Sequence, residues 1–132
     1  MQINNGSGWD GSQDGTDEVF GDMCDKNLTE ITTSGAIVYK GRRILLNAGS
    51  GLQLTLAAPI SGTRSDGGDD GKRLKVTTLT AQAHVITCST VGFNAKASSG
   101  TVTFTAVIGN SCVIEAYKGN WYITDNNGVT VA

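Results

Sequence analysis

From residue 35 onward the chain alternates short runs of patterned apolar residues with breaks rich in glycine, serine and asparagine. In LQLTLAA (52–58) Leu52, Leu54 and Leu56 alternate with Gln53 and Thr55; in RLKVTTL (73–79) Leu74 and Val76 flank Lys75. TVTFTAV (101–107) alternates Val102, Phe104 and Ala106 with Thr101, Thr103 and Thr105. A period of two with one apolar face predicts strands that bury one side and expose the other. AIVYK (36–40), RRILLN (42–47), AHVITCS (83–89), SCVIEAY (111–117) and WYIT (121–124) extend the series, and APISGTRSDGGDDGK reads as a long exposed loop. SCVIEAY and WYIT are joined by Lys118-Gly119-Asn120, a hairpin turn suited to positive φ at Gly119, with Asn120 a second candidate. About nine short strands, with turns about every 8–12 residues, predict an all-β domain: an antiparallel sandwich or a small barrel over residues 31–132.

The first thirty residues do not share this pattern. NNGSGWDGSQDGTDE has almost no apolar periodicity and cannot bury enough surface to fold alone, which predicts an extended arm over residues 1–30. Charge separates the two regions further. Seven carboxylates against Lys26 alone leave residues 1–30 at −6, whereas residues 31–132 carry nine Lys or Arg against five acids, a balance of +4. The isolated Trp9, Val19, Phe20 and Met23 read as anchors for some other surface, with Asp14, Asp17 and Glu18 supplying charge beside them. A solvated tail is the competing reading. Burying one large side chain contributes about 1.5–3 kcal/mol, while fixing each backbone residue costs about 1–2 kcal/mol, so attachment through the arm requires several anchors acting together.

Composition narrows the chemistry. Eighteen glycines against one proline in 132 residues fit one domain of many turns. No segment approaches the run of about 18 apolar residues that spans a bilayer, and the N-terminus lacks the charged start and apolar stretch of a signal peptide, which predicts a chain kept in a cytosol with no membrane partner. Three cysteines fit buried, reduced thiols better than a disulfide framework. AQAHVITC (81–88) holds the only histidine, His84, four residues before Cys88. β-Branched neighbours predict a strand there, on which these residues would stand roughly 13 Å apart, out of reach of a shared proton or metal. On a helix the same spacing would bring them together. The cysteines show none of the paired spacing of zinc sites, and no serine occupies a G-x-S-x-G elbow. The acidic runs DGSQDGTDE and DGGDDGK miss the ligand spacing of a calcium loop. The sequence therefore predicts no catalytic residues, no metal and no cofactor.

A set of short motifs, in order, resembles a domain recurring in small virion proteins of tailed bacteriophages. The matching residues are Pro59 after the Leu-rich strand, Gly68 to Lys72, Ala83 to Val85, Gly92 to Asn94, Ile108 to Ser111 and Tyr117 to Tyr122. They cover about residues 50–124. The leader lies outside the shared pattern. The resemblance implies a β fold on a virion surface, as a capsid decoration module or in a fibre-like protein, with no catalytic role for the Ala-His strand.

Two functions follow. As a decoration (cement) protein the chain would bind the outer surface of the head lattice and stabilise it, its partners being the major capsid protein and its own copies, as a homotrimer matched to local threefold positions. Its arm residues Trp9, Asp14, Asp17, Glu18, Val19, Phe20 and Met23 would lie on the shell. The alternative is a tail-fibre or receptor-binding module offering Thr63–Lys72 with Trp121 and Tyr122 to a cell-surface glycan. A fibre tip ordinarily needs an upstream shaft, which favours decoration. The basic residues read as scattered and the arm would repel phosphate, so no nucleic-acid partner is expected.

Overall fold

Ten strands form among residues 27–132, the part of the chain that the computed structural model describes. They are β1 (Leu28–Ile31), β2 (Gly35–Ala36), β3 (Arg43–Leu46), β4 (Gln53–Thr55) and β5 (Arg73–Thr78), then β6 (Val85–Cys88), β7 (Gly100–Phe104), β8 (Ser111–Tyr117), β9 (Asn120–Asn127) and β10 (Val129–Val131). Two five-stranded sheets result, one in the order β1-β3-β5-β8-β9 and the other β10-β7-β6-β4-β2, consistent with a sandwich and not closed into a barrel. Inward residues alternate with outward ones as the sequence pattern requires: β5 buries Leu74, Val76 and Thr78, and β8 buries Cys112, Ile114 and Ala116. Trp121, Phe104, Leu54 and Ile86 complete the centre of one continuous apolar layer.

The sheets are mixed, not antiparallel as the sequence predicts. From β1 to β6 the chain changes sheet at every connection, so β1, β3 and β5 run parallel in one sheet and β2, β4 and β6 run parallel in the other. The last four strands add the antiparallel pairs β6–β7, β5–β8, β8–β9 and β7–β10. Hydrophobic alternation is the same for a half-buried strand of either sense, so pattern alone carries no information about direction.

Three local differences have physical causes. Of AIVYK only Ala36 lies in a strand; the Ile37 amide still donates to Thr55 at 2.8 Å, after which the chain turns away, Val38 becoming 81% exposed. Sheet structure reaches back to Leu28, so the last three residues of the stretch read as arm belong to β1, paired in parallel with β3. The hairpin turn is Lys118-Gly119, with φ of 47° and 82°, so the second positive φ falls on Lys118 and not on Asn120. A two-residue turn with both central residues left-handed matches strand twist, and Asp70 Oδ1 accepts the Lys118 amide at 2.8 Å, steadying a residue type that rarely adopts this conformation.

That turn generates a stability prediction. Lys118→Asn, which tolerates positive φ, should stabilise the domain by about 0.5–1 kcal/mol, and Gly119→Ala should destabilise it by more than about 1 kcal/mol. Urea unfolding of the two variants checks the opposite signs.

Candidate functional site

The polar groups that could carry chemistry are held by local structure, beginning with His84. It immediately precedes β6, fully buried, with its carbonyl accepting the Phe104 amide at 2.9 Å. The Leu52 amide donates to Nδ1 at 3.0 Å, and Thr80 Oγ1 lies 3.0 Å from Nε2. Because Nδ1 accepts, the neutral ring carries its proton on Nε2 and donates to the threonine hydroxyl. Burial lowers the pKa below the ordinary 6.5. The imidazole thus joins the start of β4 to the connection between β5 and β6, with both ring nitrogens occupied.

The thiols are similarly enclosed. Cys88 ends β6 and Cys112 lies in β8, both buried. Burial pushes the Cys88 thiol up, and burial together with the Asp125 charge pushes Cys112 up to about 12, so neither offers thiolate near neutrality. Among the described residues no group of three or more His, Cys, Asp or Glu side chains is placed to hold a metal ion.

The Gly-Asp-Asp-Gly-Lys segment is a brace. Asp69 Oδ2 accepts the Ile60 amide at 2.8 Å, which holds its carboxyl below the usual range, and Oδ1 pairs with Lys72 at 3.3 Å. Asp70 supports the hairpin turn, and the Gly71 amide donates to Ala116. Other motif residues act the same way. Asn110 Nδ2 donates to the Thr105 carbonyl and hydroxyl, and the Ile123 amide donates to Asn94 Oδ1. Trp121 is 1% exposed, with Nε1 donating to the Ala57 carbonyl at 2.9 Å, so its ring faces the core and cannot form the aromatic platform that the glycan alternative assigns to it. Tyr122 beside it is half-buried.

Two surface features remain. The first is basic. Arg43 and Lys75 are register partners at the starts of parallel strands β3 and β5, and Arg42, Arg43, Arg73 and Lys75 line a shallow hollow of about 270 Å³. Arg42 and Arg73 also line a neighbouring hollow of about 500 Å³ with Arg64, Gly41 and the 68–72 segment. Among the described residues Arg42, Arg43, Arg64 and Lys75 make no ion pair, and Arg73 approaches Glu115 only to 3.9 Å. The sequence reading missed this face because Arg42-Arg43 and Arg73/Lys75 are thirty residues apart along the chain. The doublets at two strand starts were the available signal, legible once those strands are known to be parallel neighbours. The second feature is apolar: Leu79, Val107 and Ile108, 40–65% exposed, lie where the Gly109 amide donates to Thr78 and the Thr78 amide to Asn110, at one end of the first sheet.

Trp9, Asp14, Asp17, Glu18, Val19, Phe20 and Met23, with Cys24, lie outside the described residues. No helix among the described residues is long and apolar enough to cross a membrane. Comparison of the chain with known protein families, with curated proteins and with solved structures gave no match.

Two predictions follow from the enclosed groups. His84 has a lower pKa folded than unfolded, so the unfolded chain takes up the proton first. Its contribution to stability is complete above the ordinary 6.5 and is lost as pH falls from there through the folded value. In His84→Ala this component should vanish, and stability at neutral pH should drop by about 2–4 kcal/mol because the Leu52 amide loses its acceptor. Unfolding curves across pH check both. Thiol titration of the native protein should modify neither Cys88 nor Cys112 until denaturant is added.

Proposed function

We propose that the chain is a decoration protein of a tailed-bacteriophage head, holding to the major capsid protein through its acidic leader and to its own copies through the β domain. The observation that carries this reading is the position of β1. The leader runs directly into this strand, which pairs with β3 on one side and forms the edge of its sheet. An edge strand continuous with a segment bearing isolated anchors provides a backbone that a neighbouring subunit can extend by strand addition.

The interior supports a binding role over catalysis: His84, Asp69, Asp70, Asn110 and Trp121 are each engaged in holding loops and strands. The exposed Leu79, Val107 and Ile108 favour self-association, and a homotrimer on local threefold positions repeats each weak contact three times, raising the effective concentration of the others. The receptor-binding alternative loses its principal aromatic residue to the core.

The test is co-sedimentation with undecorated particles. Because β1 starts at Leu28, the truncation has to stop at Lys26. The variant lacking residues 1–26 should keep its melting transition and lose capsid binding, and Asp-to-Asn changes at 14 and 17 should weaken binding chiefly at low salt. Saturating binding of the truncated protein at unchanged affinity would move attachment onto the β domain. Light scattering of the full chain should give three times the chain mass, falling to one in Val107→Ser/Ile108→Ser; a monomer at high concentration would remove the trimer.

A further inference from the structure

We propose that the basic face formed by Arg42, Arg43, Arg64, Arg73 and Lys75 is a docking surface for the acidic segment Asp10–Asp25 of the same chain. This inference is independent of what the leader binds on a particle.

Charge identifies the occupant. Residues 27–132 carry nine Lys or Arg against six Asp or Glu, and residues 1–26 carry six acids against Lys26. The surplus cations are gathered, four of the five lacking any ion pair among the described residues. Of the carboxylates around this face, Asp69 is committed to the Ile60 amide and Lys72, Asp70 to the Lys118 amide, Glu30 to Asn47 and Asp66 to the Thr63 hydroxyl, which leaves Glu115, 3.9 Å from Arg73, as the one that reaches it. Like charges placed side by side repel unless a counter-charge is supplied, and the acidic leader is the concentrated source in the chain.

Geometry selects the chain's own leader over another copy's. Parallel pairing puts the N-terminal ends of β1, β3 and β5 on one side, with Leu28 opposite Arg43 and Arg43 opposite Lys75. Gly41, which lines the larger hollow beside Arg42, has a φ of 65°, and a side chain there would overlap the Asn27 carbonyl. The chain therefore arrives at β1 in contact with the rim of the basic hollow. At about 3.3 Å per residue, three and six residues of chain let Asp25 and Asp22 reach no farther than roughly 10–20 Å from Leu28, whose register partner is Arg43. The short tether gives the leader a local concentration that a free copy does not match.

The experiment uses the full chain with a nitroxide at Ser12→Cys in a Cys24→Ser background, Cys88 and Cys112 being buried. Amide signals of Gly71, Arg73 and Lys75 should broaden at about 0.01 M salt, and the broadening should fall at least threefold at about 1 M, where the screening length shrinks from about 30 Å to about 3 Å. Arg42→Gln/Arg64→Gln, surface changes whose folding the same spectrum verifies, should reduce it at low salt. Broadening that ignores both salt and these substitutions, or none at all, would overturn the proposal. So would equal broadening in an isotope-labelled, nitroxide-free protein mixed with nitroxide-bearing copies, since the occupant would then be the leader of a second copy.

Discussion

Backbone groups at the rims of the apolar layer have to be hydrogen-bonded although the chain crosses from one sheet to the other at each of the five connections between β1 and β6. An amide left without a partner at such a rim costs about 1–3 kcal/mol, a large share of a small domain's stability. Side chains close these crossings. Ser34 Oγ accepts the Gln53 amide, His84 accepts that of Leu52, and Asp69 accepts that of Ile60. Thr29 Oγ1 accepts the amide of Lys40, and the Trp121 indole donates to the carbonyl of Ala57. The residue types that invite a catalytic interpretation are thus the ones that let a winding chain keep its polar backbone satisfied.

That arrangement explains which features were legible in the sequence. Leu52, Leu54 and Leu56, with Leu74 and Val76, declared their buried faces through simple alternation, and all five are buried. Of the two residues predicted to share a strand, Cys88 lies in β6 and His84 stands just before it, where its ring is taken up by the Leu52 amide and Thr80. Strand direction was not legible, since alternation is indifferent to it. Neither were β1 and β10, short strands that are defined by pairing with β3 and β7 and not by a pattern of their own. Trp121 was misjudged as a surface aromatic because a position next to a turn gives no sign of which way its ring points.

The exterior follows from the same path. Alternate crossing brings the starts of β1, β3 and β5 side by side, which converts separate basic doublets into one face and delivers the acidic leader to its border. A protein organised in this way has its strong charges outside its core, beside the edge strand β1.

The proposed attachment to a head lattice can be seen directly. The measurement is electron microscopy of particles carrying this chain. Density for the β domain should stand in several symmetry-related copies on the outer head surface, with the leader crossing a shell subunit from the β1 edge. Density confined to the tail or its fibres would contradict it.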